Sequence, residues 1–269
     1  MPSDRTKISY VIASRNDGYC GDAMGRLHKT IEHIQVEQNN DNSFEVVMVD
    51  WGSKEPIKFH VATGRLRRNV RLLHVPPSLA TPHFHETLAL NLGIRRARGE
   101  WIARLDQDTL VGPRFVEWFR SGMPTAIEGA VIRYRQQAFF SLRRDLPEDL
   151  IWQSWDKSGE PYWRGAVGML LATRDAWHNV RGYFEGMDRR NHIEHDLALR
   201  LARECGLSAL GPLTNYDFHH QHHPRPSGLP QNPFRSEQVL LQMIEEGKFT
   251  NPENWGLKDQ WDQIKEVVL

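Results

Sequence analysis

The first part of the chain alternates short apolar runs with amphipathic stretches. The apolar runs predict four buried strands, at Ile8–Ala13, Phe44–Val49, Val70–Val75 and Trp101–Leu105. Two stretches place apolar residues at helical spacing, from about Asp22 to Gln38 and over Glu86–Arg98, which Gly99 closes. Alternation of this kind is typical of a parallel α/β sheet flanked by helices, and this is the fold class that we predict.

The second half of the chain is less regular. Two further strands are predicted at Ala130–Tyr134 and Ala166–Ala172, separated by a segment at 136–163 that is rich in tryptophan, proline and charge. We interpret 136–163 as a long irregular segment, and such segments tend to be lids or binding loops. Helices are predicted at Glu194–Glu204 and near Ser236–Glu246. No internal repeat or clean linker divides the chain, which favours one domain with elaborations.

Composition limits the possible partners. The 269 residues contain 34 Lys plus Arg and 34 Asp plus Glu, so no overall charge favours nucleic acid. Cys20 and Cys205 form no metal-binding or disulfide pattern, and a reducing compartment is the simpler interpretation. No apolar signal core or stretch of membrane-spanning length occurs. We therefore expect a cytoplasmic protein without a transmembrane segment, with peripheral contact to a membrane surface left open.

Three polar clusters follow predicted strands: Ser14–Asp17, Asp50–Ser53 and Asp106–Asp108. Ligands of parallel α/β sheets bind beyond the carboxyl ends of the strands, where such clusters meet. Asp106 and Asp108, one residue apart, are able to hold a hard divalent cation that also binds a diphosphate. The alternative is a solvated Asp-rich turn. Asp50 is able to accept hydrogen bonds from a nucleoside, or to form its turn through an Asx bond.

Other polar residues allow two interpretations each. Arg15 and Asp17 either hold a base or phosphate or pair with each other. Glu194 and Asp196 open a helix, where the helix dipole favours carboxylates; the functional alternative is a general base that deprotonates an acceptor hydroxyl. A dense group of histidines suggests either one metal ligand or a solvated loop. Its members are His219, His220, His222 and His223.

The ordered series of motifs resembles the GT-A fold glycosyltransferases, especially the inverting family 2 group. Ile12-Ala13-Ser14-Arg15-Asn16 resembles the family's "IPTxN" motif, with Ala for Pro. Val49-Asp50-Trp51-Gly52-Ser53 resembles "VDDGS", with Trp51 replacing the second Asp. Leu105-Asp106-Gln107-Asp108, after Asn91, Gly93 and Gly99, is similar to the segment that ends in the DXD motif. The likeness covers about residues 8–112.

A later stretch, from Arg164-Gly165-Ala166 to Arg200-Leu201, resembles the galactosyltransferase-type C-terminal segment of the family. Alignment on Asp196-Leu197 places Glu194 where the family has its catalytic Asp. The family also has a metal-binding histidine after a Pro-led strand, and His219 fits that position after Pro212. The cation that the resemblance implies for the DXD-type motif is Mn²⁺ or Mg²⁺. The QxxRW motif and the membrane helices of processive polysaccharide synthases are absent from the sequence.

The resemblance implies specific roles for these residues. It implies that Glu194 and Asp196 are catalytic, that Asp106, Asp108 and His219 bind the metal, and that residues 163–165 shape the acceptor or sugar site. The nucleotide-binding set that it implies is Ala13, Ser14, Arg15, Asp17, Asp50, Asp106 and Gln107. The acceptor or sugar set is Trp163, Arg164 and Gly165. It divides the chain into a glycosyltransferase domain at 1–223, with a nucleotide-binding half at 1–112 and an acceptor half at 113–223, and a C-terminal loop and helical extension at 224–269.

The activity implied is metal-dependent, inverting transfer of a single sugar to a glycan or glycolipid hydroxyl, as in polysaccharide biosynthesis. A UDP-linked donor is favoured, carrying galactose or N-acetylgalactosamine. A retaining transferase, a nucleotidyltransferase and a non-catalytic sugar-nucleotide or glycan-binding module are the alternatives. The nucleotidyltransferase alternative lacks support in the sequence, because Ser14–Cys20 contains no Gly-rich phosphate-binding loop with a lysine.

Overall fold

The computed structural model describes most of the sheet and its flanking helices. The described residues are 6–18, 21–38, 43–58, 69–121, 125–127, 130–132, 138–143, 167–187, 193–205, 208–213, 218–221, 223, 242, 246 and 250–268. The strands are β1 (Ile8–Ser14), β2 (Phe44–Trp51), β3 (Val70–Val75), β4 (Trp101–Leu105), β5 (Thr109–Val111), β6 (Thr125–Ile127), β7 (Ala130–Ile132), β8 (Ala138–Arg143), β9 (Val167–Thr173), β10 (Ser208–Leu213), β11 (Phe218–His220) and β12 (Lys265–Val268). The helices are α1 (Ala23–Glu37), α2 (Glu86–Arg96), α3 (Pro113–Arg120), α4 (Arg174–Asn179) and α5 (Ile193–Cys205), followed by a 3-10 helix at Lys258–Gln263.

A single mixed sheet forms the centre of the fold. Its strand order is β10-β8-β9-β4-β1-β2-β3-β12. β1 runs parallel to both β2 and β4, and β3 runs parallel to β2, so the predicted parallel α/β sheet is confirmed. β9 pairs antiparallel with β4, and β12 pairs antiparallel with β3. Two short pairs, β5 with β11 and β6 with β7, stand outside this sheet.

Alternation along the strands creates two apolar layers. Tyr10 and Ile12 of β1 face a cluster that contains residues of α1 and α3, including Leu27 and Phe115. Val11 faces the opposite cluster, which contains residues of α2, α4 and α5. Because both faces of the sheet are covered, its central strands are mostly apolar, as expected for a buried parallel sheet, with a few buried charged residues such as Glu45 and Arg104.

The helix starts follow from local capping chemistry. The Asp22 side chain accepts a hydrogen bond from the Gly25 amide at 2.8 Å and opens α1. His85 caps α2 by accepting from the Leu88 amide at 3.4 Å, and Thr173 caps α4 by accepting from Ala176. These caps place the first turns of α1 and α2 after the loops that follow β1 and β3.

Two parts of the sequence-based interpretation need correction. Segment 136–163 is not irregular throughout, because Ala138–Arg143 forms β8, which lies between β10 and β9 in the sheet. The C-terminal extension contributes to the main sheet, since Lys265–Val268 forms its edge strand, and Trp255 lies in the apolar core. Partners from other parts of the chain decide both features, and local periodicity does not reveal them. The helix predicted near Ser236–Glu246 and the division at residue 223 stay predictions.

Candidate functional site

The strand register aligns polar residues of three strands at one edge of the sheet. Ser14 of β1 pairs with Asp50 of β2, and Asp50 pairs with His74 of β3. On the other side of β1, β4 ends at Leu105 and runs directly into Asp106-Gln107-Asp108. The predicted meeting of these three clusters at the carboxyl ends of parallel strands is therefore visible in the described residues.

The Asp50 carboxylate is fully buried and already well supplied with hydrogen-bond donors. It accepts from the Ser53 hydroxyl, from the Ile57 amide at 3.0 Å and from the ring Nδ1 of His74 at 2.8 Å. Its relative exposure is 0%, whereas the His74 side chain is 16% exposed. This geometry gives Asp50 a structural task, holding the turn at 53–57 and the His74 ring. Direct contact between Asp50 and a nucleoside stays a prediction.

Gln107 joins the ends of β1 and β4 to α1. Its side-chain oxygen accepts a hydrogen bond from the Ser14 hydroxyl, and its backbone carbonyl accepts from the Thr30 hydroxyl at 2.9 Å. Ser14 is 2% exposed and Thr30 is fully buried, so both bonds lie out of bulk water. Ala13, next to Ser14, is half-buried against the α2-side cluster. These contacts fix the turn that carries the two aspartates.

Arg15 follows β1 and lies over the loop that follows β3. Its guanidinium donates to the Pro82 carbonyl at 2.9 Å and lies 3.9 Å from the Asp17 carboxylate. Burial raises the pKa of the Asp17 carboxyl, and the charge of Arg15 partly offsets that rise. Both alternatives from the sequence therefore have a basis: the two residues pair, and both are also partly accessible to a ligand.

Asp106 is held by an arginine on the strand that precedes it. Arg104 Nη1 donates to Asp106 Oδ1 at 2.7 Å, and Arg104 Nη2 donates to Glu86 Oε1 at 2.8 Å. The Arg104 side chain is 4% exposed, and each of its carboxylate partners is 20% exposed. Asp106 therefore presents a partly accessible carboxylate, one oxygen of which contacts a buried cation.

Asp108 contacts a histidine from the His-rich stretch. His223 Nε2 lies 3.0 Å from Asp108 Oδ2, with the two side chains 12% and 10% exposed. The backbone brings them together: the Gln221 amide donates to the Asp108 carbonyl at 2.9 Å, and β11 pairs antiparallel with β5. The Gln221 side chain donates to the Thr30 hydroxyl and to the Arg26 carbonyl on α1, both at 2.9 Å.

The donor atoms of Asp108 and His223 suit a divalent cation. Carboxylates suit Mg²⁺ and Mn²⁺, and imidazole is a common metal ligand. Adjacent ligands of an octahedral ion with bonds near 2.1 Å lie about 3 Å apart, close to the 3.0 Å between His223 Nε2 and Asp108 Oδ2. A hydrogen bond between these two atoms explains the same distance equally well. No group of three candidate ligands occurs among the residues that the structure describes. Asp106, tied to Arg104, is the nearest further carboxylate in sequence.

α5 carries the two residues that the sequence proposes as catalytic. Asp196 is fully buried, and both of its oxygens accept from Arg200, at 3.0 and 2.5 Å. Arg200 is 2% exposed and also donates to the Val180 carbonyl at 2.6 Å. This arrangement favours a structural role for Asp196, which holds Arg200, the residue that ties α5 to the end of α4. The backbone of Glu194 lies in the first turn of α5, while its side chain lies outside the described atoms.

Several other predicted site residues lie outside the described part of the chain. Trp163, Arg164 and Gly165 are among them, as is His222. His219 lies in β11 opposite Leu110, and its side chain is not described. β9, which begins at Val167, pairs Met169 with Leu105, so it starts at the edge of the sheet where the aspartates lie. The assignment of residues 163–165 to an acceptor or sugar site stays a prediction.

Comparison of the fold with solved structures finds glycosyltransferases. The catalytic domain of Drosophila β1,4-galactosyltransferase 7 in complex with xylobiose matches 88% of this chain and 79% of that chain, with a TM-score of 0.51 and 12% identity. A mutant of that enzyme in complex with manganese, UDP-Gal and xylobiose gives a TM-score of 0.50 at 13% identity, over 87% of this chain and 79% of that one. S. aureus TarS gives 0.50 at 12% identity over 95% of this chain, which spans 42% of TarS.

No protein-family model matches the sequence, and no curated protein matches it either. At identities of 12–13% the structural likeness describes the fold alone. That fold, with its mixed sheet and flanking helices, is the GT-A-like fold of glycosyltransferases, in agreement with the fold expected from the motifs. Among the described helices, none is both long and apolar enough to cross a membrane.

Two residues of the site had no assigned role in the sequence analysis. Arg104 lies within an otherwise apolar strand, and a charged residue in a buried strand requires a charged or hydrogen-bonding partner. Glu86 opens α2, a position that the helix dipole explains by itself. The arginine was thus a detectable signal. Asp106 lies only two residues from it, but its contact with Glu86 depends on the packing of α2 against β4.

Proposed function

We propose that this protein is a metal-dependent glycosyltransferase that moves a single sugar from a nucleoside diphosphate to an acceptor hydroxyl. The observation that carries this proposal is the placement of Asp106 and Asp108 at the carboxyl end of β4, with His223 against Asp108. Ligands of parallel α/β sheets bind at that edge. The two matched galactosyltransferase 7 structures hold xylobiose, one of them with manganese and UDP-Gal.

Asp108 and His223 are the residues that we propose to hold Mn²⁺ or Mg²⁺, with Asp106 as a further ligand or as the partner of the ribose. The bound cation supplies positive charge that stabilises the departing diphosphate. His219 was the histidine favoured from the sequence, and it remains a candidate because β11 carries it next to β5. The contact between His223 and Asp108 is the reason to place His223 first.

The nucleoside is proposed to lie over the ends of β1 and β2. Arg15 and Asp17, both partly accessible, are the proposed contacts, while Ala13, Ser14 and Gln107 form the floor. Asp50 contributes by holding His74 and the turn at 53–57. A UDP-linked galactose or N-acetylgalactosamine is the donor that we favour, and a glycan or glycolipid hydroxyl the acceptor.

Glu194 is the proposed general base. Glu194 lies in the first turn of α5. Earlier in the same half of the chain, β9 begins at the edge of the sheet where the aspartates lie. Glu194 removes the acceptor proton while the acceptor oxygen bonds to the anomeric carbon and the diphosphate leaves with its bonding electrons. One such displacement inverts the anomeric configuration. The proposed acceptor-side residues are Trp163, Arg164 and Gly165.

A thermal-shift panel of nucleotide sugars, with and without Mn²⁺, tests this function first, because a ligand that binds the folded state raises the melting temperature. The nucleotide sugar that raises the melting temperature is then incubated with the protein and candidate acceptors. The product is followed by mass spectrometry and by NMR of the anomeric proton. EDTA should abolish turnover. Binding without transfer or donor hydrolysis would instead indicate a binding module, and release of pyrophosphate from a nucleoside triphosphate would indicate a nucleotidyltransferase. Retention of configuration would contradict the single displacement.

A further inference from the structure

Arg104 bridges two carboxylates that belong to different elements of the fold. Within β4 it pairs with Val11 of β1 and Leu170 of β9, so its backbone lies in the middle of the sheet. One terminal nitrogen donates to Asp106 at 2.7 Å and the other to Glu86 at 2.8 Å. The guanidinium is therefore held from both sides, by the start of α2 and by the turn after β4.

An arginine suits this position better than a lysine. Its planar fork offers separate donors in fixed directions, so one side chain satisfies two carboxylates at once. With only 4% of the side chain exposed, water competes little for these hydrogen bonds. The orientation of the Asp106 carboxylate is consequently set by a rigid partner, through the contact of Arg104 Nη1 with Asp106 Oδ1.

The first turn of α2 also makes a hydrogen bond to the loop at 181–187. The Thr87 hydroxyl, fully buried, donates to the Met187 carbonyl at 2.6 Å. Further along α2, the Asn91 amide donates to the Tyr183 carbonyl at 2.7 Å. Through these bonds the helix that holds Arg104 also holds loop 181–187, which precedes α5 in the chain.

We propose that Arg104 is a positioning residue, which orients Asp106 towards the donor diphosphate and its cation, and that Glu86 holds Arg104 in turn. This inference rests on the proposed glycosyltransferase function. Arg104 touches neither the sugar nor the acceptor; it acts through the Asp106 carboxylate. Loss of a partner that orients a metal ligand typically lowers metal affinity about 10- to 100-fold.

The test compares Arg104→Lys, Arg104→Gln and Glu86→Gln with a matched control, Arg71→Lys. Arg71 is also a buried strand arginine that bridges two carboxylates, Glu45 at 3.0 Å and Glu266 at 2.8 Å. It donates to the carbonyl of Arg96, at the opposite end of α2 from Glu86. The control therefore reproduces, for Arg104→Lys, the loss of a buried guanidinium that bridges two carboxylates, without changing the turn that carries Asp106.

Two readouts are measured for each variant: UDP binding by calorimetry across a Mn²⁺ titration, and the separate kcat and KM of transfer. We expect the Arg104 variants and Glu86→Gln to need at least about tenfold more Mn²⁺ for half-maximal UDP binding and to raise the donor KM. Arg71→Lys should lower the melting temperature and leave both quantities within about twofold. Glu86→Gln keeps the test decisive if an Arg104 variant does not fold.

The possible outcomes separate the two proposals. If the wild-type protein transfers sugar but Arg104→Lys and Glu86→Gln match it in Mn²⁺ and donor dependence, the positioning role is wrong and the function stands. If Arg71→Lys changes Mn²⁺ dependence as strongly as Arg104→Lys, the effect is general destabilisation and the positioning role is again wrong. If the wild-type protein binds no nucleotide sugar and produces nothing, the function fails and the role of Arg104 fails with it.

Discussion

Asp108 and His223 meet at 3.0 Å although they belong to separate elements, one after β4 and the other after β11. The pairing of β11 with β5 and the bond from the Gln221 amide to the Asp108 carbonyl create this contact. A carboxylate and an imidazole thus converge beside the Asp106 turn.

Removal of either member of this pair should weaken the metal site. We expect Asp108→Asn and His223→Gln to lower Mn²⁺-dependent UDP binding by at least about tenfold, because each removes a charged or nitrogen ligand. Calorimetry with UDP across a Mn²⁺ titration measures this effect. His178→Gln, an exposed histidine on α4, is the matched control and should bind as the wild-type protein does. If His223→Gln kept wild-type Mn²⁺-dependent UDP binding while His219→Gln lost it, the metal ligand would be His219.

Glu194→Gln should separate binding from chemistry. An amide does not accept the acceptor proton, so kcat should fall by about 10²- to 10⁴-fold, the usual contribution of a general base. UDP binding should stay near the wild-type value, since the base does not contact the nucleotide. Glu204→Gln, an exposed glutamate on the same helix, serves as the control. Wild-type turnover in Glu194→Gln would reject the assignment of the base.

Asp196→Asn should affect folding more than catalysis. It leaves Arg200, which is 2% exposed, without its charged partner, and breaking a buried ion pair in this way costs about 3–5 kcal/mol. Urea unfolding measures this loss of stability. Replacement of both residues by apolar side chains of similar volume should restore much of it. A variant that is as stable as the wild-type protein but inactive would instead support the catalytic role first inferred for Asp196 from the sequence.

The C-terminal strand should loosen in acid. The hydrogen bond from Arg71 and the charges of Arg71 and Arg96 hold the pKa of Glu266 below its ordinary value of 4.5, against the effect of burial. A carboxyl whose pKa is lowered in the folded state stabilises that state, and the stabilisation is complete when the pH is above the ordinary pKa. This stabilisation is lost as the pH falls through the lower pKa of the folded protein. Below that range Glu266 is protonated in both states.

Glu266→Gln tests this dependence. It should be less stable than the wild-type protein at neutral pH, and the difference should shrink as the pH falls below the ordinary value of 4.5 and through the lower pKa of the folded protein. Fluorescence is a suitable probe, because Trp255 and Trp261 lie in the same C-terminal segment, where Arg95 stacks 4.9 Å from the Trp255 ring and Arg96 stacks 4.8 Å from the Trp261 ring. An equal stability difference at pH 3 and pH 7 would contradict this account.

Local patterns predicted the central part of the fold well. β3 and β4 have the predicted bounds, Val70–Val75 and Trp101–Leu105, because a run of apolar residues between polar turns defines a buried strand without tertiary information. β8 and β12 were not predicted. β8 lies in a segment rich in charge and proline, and β12 is a short edge strand with exposed residues, so its pattern carries little hydrophobic signal.

The candidate site divides in a similar way. The sequence by itself determined that Asp106, Gln107 and Asp108 follow a buried strand, and that Ser14 and Asp50 end two others, because strand ends are local features. Only the tertiary structure decided which distant partners these side chains meet: His223 for Asp108, His74 for Asp50 and Glu86 for Arg104. The physical reason is that hydrogen bonds and ion pairs act over a few ångströms, and strand register and helix packing set which distant residues come within that range.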